Sequence, residues 1–182
     1  MKPFLLLFAL VALTLSGCCA AESCDCPDQA AVDDIALRFN RDTLGAAPAG
    51  FTQRETIRLF VIRQPLDTSG GARTDTVLLD PHPVPAAGEP DILLRRDRPF
   101  ARSVIGLGGY RYSVLVLRKP GRPVLYRYEL HDVLIDSRYA TTSACCTCYE
   151  NTRKEARLGT GPLLDLHTPS SSQPTIIELR KY

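Results

Sequence analysis

The chain has 182 residues, of which 45% are hydrophobic, and a formal net charge of +2 at pH 7. This charge is too small to predict nucleic-acid binding, and no run of Lys or Arg forms a polybasic tract. Trp is absent, and the fourteen prolines and many Val, Leu, Ile, Tyr and Thr residues favour strands over helices.

The first residues are typical of a signal peptide. Lys2 supplies a positive charge, and an almost uninterrupted apolar run of twelve residues follows from Phe4 to Leu15. As a helix this run would span about 18 Å, which is too short for a bilayer core of roughly 30 Å. We therefore expect residues 1–17 to be a signal peptide rather than a transmembrane anchor.

The end of this run, Leu15-Ser16-Gly17-Cys18, resembles the lipobox of bacterial lipoproteins. The resemblance implies cleavage by signal peptidase II between Gly17 and Cys18, a diacylglycerol on the Cys18 thiol and an acyl chain, such as palmitate, on its amine. Two or three acyl chains hold a protein on a membrane almost permanently. The alternative is an ordinary secretory signal that contains a cysteine.

The residue after Cys18 bears on which membrane the lipoprotein would reach. In some bacteria an Asp at this position retains a lipoprotein at the inner membrane, whereas this chain has Cys19. The resemblance therefore favours the outer membrane, on its periplasmic face or at the cell surface. The 165 residues after the signal are enough for one domain. We expect a linker with a cysteine cluster at 18–32 and one domain at 33–182.

Alternating apolar residues predict short strands along this domain. The segments are DIALRFN (34–40), ETIRLFVIRQ (55–64), DTVLLDP (75–81), DILLRRD (91–97), YRYSVLVLR (110–118), PVLYRYELHDVLID (123–136), TRKEARLGT (152–160) and PTIIELRKY (174–182). Ile57 is placed on one face with Leu59, Val61 and Arg63, and TRKEARLGT is expected to be exposed. Residues 119–122 form a plausible hairpin turn. CPDQAAVDDIALRF has room for one helical turn at most.

Seven to nine short strands with regular turn signals predict an all-β fold, a single antiparallel β-sandwich. IGLGGYRYSVLV resembles the approach to a late strand of immunoglobulin-like domains, where a tyrosine corner forms, and Tyr110 or Tyr112 would take that role. An immunoglobulin-like sandwich is therefore one form of the prediction. A small lipocalin-type β-barrel is the alternative.

Six cysteines remain once Cys18 is assigned to the lipid: Cys19, Cys24, Cys26, Cys145, Cys146 and Cys148. An even number outside the cytoplasm favours disulfide bonds. Residues i and i+2 of an extended backbone point the same way, so each C-x-C pair shares a face. Two parallel bridges between the clusters are expected, with Cys19 and Cys145 as a third pair.

Two other roles remain open for these cysteines. Thiolates from Cys24, Cys26, Cys146 and Cys148 could surround a zinc ion, although structural zinc sites favour C-x₂₋₄-C spacing. The run from Cys145 to Cys148 has the C-x-x-C spacing of redox centres, but no βαβ context surrounds it. We therefore expect no cofactor, with zinc as the alternative.

CCTCYENTRKE (145–155) also resembles a segment of poorly characterised small bacterial lipoproteins, which have an N-terminal cysteine cluster and a later Cys-rich YENT stretch. The resemblance implies that the two clusters pair, and it implies no activity. Within it, Asn151 is expected to cap a turn and Tyr149 to cover a disulfide.

No motif predicts catalytic residues. His82, His131 and His167 lack metal-binding spacing, and no G-x-S-x-G or complete G-x-G-x-x-G motif occurs. His131 is the best candidate base, yet its neighbour Asp132 should point to the opposite face of a strand. The sequence thus predicts a lipid-anchored, non-catalytic binding or assembly module of the cell envelope. Its partner would be an unidentified envelope protein or ligand, and the alternative is a metal-binding or thiol-redox lipoprotein.

Overall fold

The structure, a computed structural model, describes residues 23–44, 50–86, 88–117, 124–168 and 174–182. The predicted signal peptide, Cys18, Cys19 and the predicted turn at 119–122 lie outside these ranges. The elements are α1 (Gln29–Asp33), β1 (Ile35–Phe39), α2 (Gln53–Thr56), β2 (Leu59–Pro65), β3 (Asp75–Leu79), β4 (Ile92–Leu94), a 3₁₀ turn (Leu107–Gly109), β5 (Tyr110–Leu117), β6 (Val124–Thr141), β7 (Thr147–Leu158), β8 (Leu163–Asp165) and β9 (Ile176–Leu179).

The strands form two open sheets, which confirms the predicted all-β sandwich. One sheet has the order β4-β1-β9 and the other the order β3-β2-β5-β6-β7-β8. Neighbouring strands are antiparallel except β1 and β9, which run parallel. The described strands do not close into the lipocalin-type barrel. The division into three and six strands also differs from the four and three of a constant-type immunoglobulin domain.

The core lies between the two sheets. Ile35 and Leu37 of β1 are buried against residues such as Leu59 and Val116 of the larger sheet, each at most 1% exposed. Alternation therefore placed the apolar faces of these strands correctly. Arg63, which alternation assigns to the same face, is also buried. Its guanidinium lies 4.8 Å from the Phe100 ring centre and forms an ion pair with Asp75, so the buried charge is compensated.

A tyrosine corner is present at the start of β5. The Tyr112 hydroxyl donates a 3.1 Å hydrogen bond to the backbone carbonyl of Leu107, five residues upstream. Burial raises the pKa of Tyr112, because its phenolate would be desolvated. The corner fixes the 3₁₀ turn against the strand that it precedes.

Ile57 corrects the predicted start of the second strand. It follows the short helix α2 and is 44% exposed, while β2 begins only at Leu59. The helix begins at a Thr-x-x-Glu sequence, in which the backbone N–H and hydroxyl of Thr52 both donate 2.8 Å bonds to the Glu55 carboxylate. This capping-box pattern is readable in the sequence, but the apolar alternation of 55–64 concealed it.

The β6–β7 hairpin is longer than predicted. β6 continues beyond Asp136 to Thr141, and β7 begins at Thr147 within the cysteine cluster. β5 pairs with β6 only as far as Leu130, so the remainder of the hairpin extends past β5. The register of β6 against β7 shifts at two bulges. These shifts decide which side chains of β7 face inward.

Candidate binding cleft beside the disulfide staple

Two disulfide bonds join the N-terminal segment to the start of β7. Cys24 bonds to Cys146 and Cys26 to Cys148, with Cα–Cα distances of 5.5 and 5.3 Å. The two bridges are parallel, because each pair of cysteines is separated by one residue on both segments. The predicted pairing of the two clusters is therefore present. We call these two bonds the staple.

Cys145 also forms a disulfide, and its predicted partner Cys19 lies outside the described residues. The sulfurs of the staple are bonded to one another, and a disulfide sulfur is not the thiolate that zinc requires. Among the described residues, no cluster of three or more His, Cys, Asp or Glu side chains could hold a metal ion. A zinc site on the four staple cysteines would therefore need both bridges to be reduced.

Beyond the staple, the N-terminal segment docks on β7 through two inward side chains. The Asn151 amide donates a 2.8 Å hydrogen bond to the Val32 carbonyl, and the Lys154 ammonium donates to the carbonyls of Val32 and Asp34. Lys154 is only 4% exposed, which corrects the predicted exposure of 152–160. Asn151 does not cap a turn. Burial lowers the pKa of Lys154.

Tyr149 also fastens this segment. The ring packs edge-on against Tyr139 with 5.5 Å between ring centres. Its hydroxyl lies 2.6 Å from the Ser137 hydroxyl and 3.1 Å from the Asp33 carboxylate. Burial raises the pKa of Asp33 despite the hydrogen bond from Tyr149. The end of α1 is thus tied to both strands of the hairpin.

A cleft of about 660 Å³ opens where these elements meet. Asp25, Pro27 and Val32 of the N-terminal segment form one wall, and β7 with residues 166–168 forms the other. Cys148 lies in the lining, so one disulfide of the staple borders the cleft. Its volume falls within the range of small-molecule sites in proteins. No single sequence motif marks it, because its lining comes from four separate stretches of the chain.

His131 and Asp132 contact each other, contrary to the prediction that strand neighbours face apart. A bulge follows His131, and Asp132 adopts a φ of 52°, so the two side chains approach to 3.2 Å. The other ring nitrogen lies 2.9 Å from the Gly159 carbonyl. His131 and Arg157 lower the pKa of Asp132. Both ring nitrogens therefore have acceptors within the protein, an arrangement that holds the bulge in place.

Of the remaining histidines, His167 is hydrogen-bonded internally, whereas the Nε2 atom of the buried His82 has no hydrogen-bond partner among the described residues. His167 lies on the cleft wall with its Nε2 atom 2.8 Å from the Asn151 carbonyl. His82 is buried, and its Nε2 atom is 3.6 Å from the carboxylate of Asp91. That carboxylate also accepts hydrogen bonds from the Phe39 N–H and from Arg41. Burial would raise the pKa of Asp91, but these neighbours together hold it below its ordinary value.

No protein-family model, curated protein or solved structure matches this chain. Within the described residues, no helix has both the length and the apolar character needed to cross a bilayer. The cleft residues offer hydrogen-bonding groups, ionic side chains of both signs such as Arg138 and Glu150, and apolar surface.

Proposed function

We propose that this protein is a lipid-anchored module of the cell envelope that binds a partner without catalysing a reaction. Its anchor is the acylated Cys18, and the residue after it favours the outer membrane. The observation that supports the proposal best is the staple. It fixes residues only six and eight positions after Cys18 to the folded domain, beside a cleft large enough for a ligand.

The hydrogen bonds of the histidines support binding over catalysis. His131 directs both ring nitrogens, and His167 directs its Nε2 atom, at acceptors within the protein. A general base must instead present a nitrogen to the proton that it removes from substrate. The cleft combines apolar surface from Pro27, Val32 and Leu166 with charged and hydrogen-bonding side chains that could orient a ligand.

The anchor is tested by fractionation of the full-length chain and its Cys18→Ala variant. We expect the unaltered chain in the membrane fraction with an acylated amino-terminal peptide. The variant has no thiol to acylate, so it should carry no acyl chain, and any processed variant without residues 1–17 should be soluble. A processed, unacylated variant that stays with the membrane would refute the anchor. A Cys19→Ala variant controls for the loss of a cysteine as such.

The cleft is tested by capture of partners from detergent-solubilised envelope. Thr152→Arg places a long charged side chain in the cleft lining, and Thr76→Arg makes the same change on an exposed position of β3, at the opposite edge of the same sheet. Partners that bind the cleft are lost with Thr152→Arg and retained with Thr76→Arg. Equal capture by both variants would place binding elsewhere.

The alternative is a metal-binding or thiol-redox lipoprotein that uses the same cysteines. It is favoured by the closeness of five cysteines, since Cys145 directly precedes the stapled Cys146. Metal analysis of protein prepared from the envelope separates the two proposals. Stoichiometric zinc would favour the alternative, and its absence from protein with intact bridges would favour the binding module.

A further inference from the structure

The turn end of the β6–β7 hairpin, residues 138–149, projects beyond the neighbouring strand β5 and carries an exposed aromatic side chain. We call it the hairpin tip. Tyr139 is 66% exposed although its ring packs against Tyr149. Next to it, Arg138 and Glu150 form an exposed 2.8 Å ion pair. A tyrosine with a solvent-exposed ring is amphipathic, and such side chains favour the headgroup layer of a bilayer.

The length of the anchor segment brings this tip close to the membrane. Cys24 lies only six positions after Cys18, and a fully extended chain of that length spans about 20 Å. Cys24 is bonded to Cys146. Tyr149 follows three residues later and pairs with Tyr139 across the hairpin. Whatever its conformation, this anchor segment therefore holds the hairpin tip within a short distance of the lipid surface.

We propose that the hairpin tip docks on the bilayer, with the Tyr139 ring in the headgroup layer. The inference rests on the lipid anchor proposed above. It assigns one surface of the domain to the membrane and makes the staple the device that orients the domain. Because Arg138 and Glu150 line the cleft as well, the cleft then opens near the lipid surface.

The charges near the tip specify which lipid surface fits. Arg138 and Glu150 compensate each other, and the exposed Asp25 lies between the two stapled cysteines. The tip thus carries no excess of positive charge that would attract anionic lipid. Docking is expected on zwitterionic phosphatidylcholine vesicles, and added anionic lipid is expected to weaken it.

The absence of Trp from the chain permits a direct test. A Tyr139→Trp variant of the lipidated, full-length protein is reconstituted on phosphatidylcholine vesicles, with Leu125→Trp as the matched control. Both positions are exposed on β6, and fourteen residues of strand place them up to about 45 Å apart. We expect the emission of the indole at 139 to shift to the blue and to be quenched several-fold more by brominated lipid than that at 125.

A second measurement uses the unaltered chain. Tyr139 and Tyr182 are both largely exposed, at 66% and 78%. On vesicles, iodination by a membrane-impermeant enzyme should fall several-fold at Tyr139 and stay unchanged at Tyr182. If the protein is bound to vesicles but position 139 is as accessible as in solution, the docking inference is overturned while the anchor survives. If the protein does not associate with vesicles at all, the anchor fails, and the docking inference with it.

Discussion

The β-sandwich core and the stapled N-terminal segment are held in place by different forces. In the core, apolar side chains of two sheets bury one another, as Phe39 of β1 and Leu59 of β2 do. The segment from Cys24 to Asp34 buries little apolar surface of its own. Two covalent bonds and buried polar contacts from Asn151 and Lys154 fix it to β7.

This difference predicts that the stapled segment can detach locally while the β-sandwich core stays folded. Loss of core packing destabilises the whole domain, because every strand shares one core. Loss of a contact between the segment and β7 frees the segment first and leaves the sandwich folded. A covalent staple would suit this short segment if it joins the proposed lipid anchor to the domain.

The largest effect is expected in the core. Phe39→Ala removes a side chain that is 1% exposed and packs against Phe51 with 5.0 Å between ring centres. The free energy of unfolding should fall by about 3–5 kcal/mol, measured by denaturant titration of oxidised protein. A loss below 1 kcal/mol would show that the two sheets do not share a cooperative core.

The next effect comes from removal of the staple. Cys146→Ser combined with Cys148→Ser opens two bridges that each span 122 residues of sequence. Since the bridges restrict the unfolded chain, the free energy of unfolding should fall by about 2–4 kcal/mol. Hydrogen exchange in α1 should rise more than in β5. An unchanged melting temperature would mean that the staple has no structural role.

A smaller and more local loss is expected from Lys154→Met. The substitution keeps a long side chain but leaves the carbonyls of Val32 and Asp34 without the ammonium donor. Loss of the donor should cost about 1–3 kcal/mol, offset in part because a buried charge is removed. Faster hydrogen exchange confined to α1 and the adjoining residues of β7 is the expected signature. Uniformly faster exchange across the sandwich would contradict the separation of the two regions.

The smallest effects on stability are expected when the pH is lowered, and two carboxyl groups should contribute in opposite directions. The folded pKa of Asp91 lies below its ordinary value of 3.8, so its stabilising contribution is present above about pH 4 and is lost as pH falls further. The folded pKa of Asp33 is raised. Its penalty is therefore relieved as pH falls from neutral towards about 4. Stability measured against pH in Asp91→Asn and Asp33→Asn variants should differ from the unaltered protein in opposite directions.

Sequence patterns predicted the regular strands and missed the irregular ones. Alternation located β5 and the first half of β6, where the register is continuous from Tyr126 to Leu130 after one shift next to Leu117. It failed beyond that point, because a bulge moves every following side chain to the other face. Asn151 and Lys154 are three residues apart, yet both are buried, since the register shifts between them.

The staple was predictable and the cleft was not, for a physical reason. The C-x-C pairs 24/26 and 146/148 each present two sulfurs on one face of an extended segment. This spacing predicted two parallel bridges between the clusters. The cleft depends on where α1 comes to rest against β7. That position is set by contacts between residues about 120 positions apart, which no local pattern encodes.

The most direct test is the mass of the full-length protein extracted from membranes, measured after alkylation with and without prior reduction. A lipid-anchored, stapled domain predicts a chain that begins at Cys18 with the added mass of its acyl chains. Without reduction, disulfide-linked peptides should join Cys24 to Cys146 and Cys26 to Cys148, and these four cysteines should resist alkylation. Free thiols at these four positions together with bound zinc would contradict the disulfide staple. An unacylated amino terminus would contradict the lipid anchor.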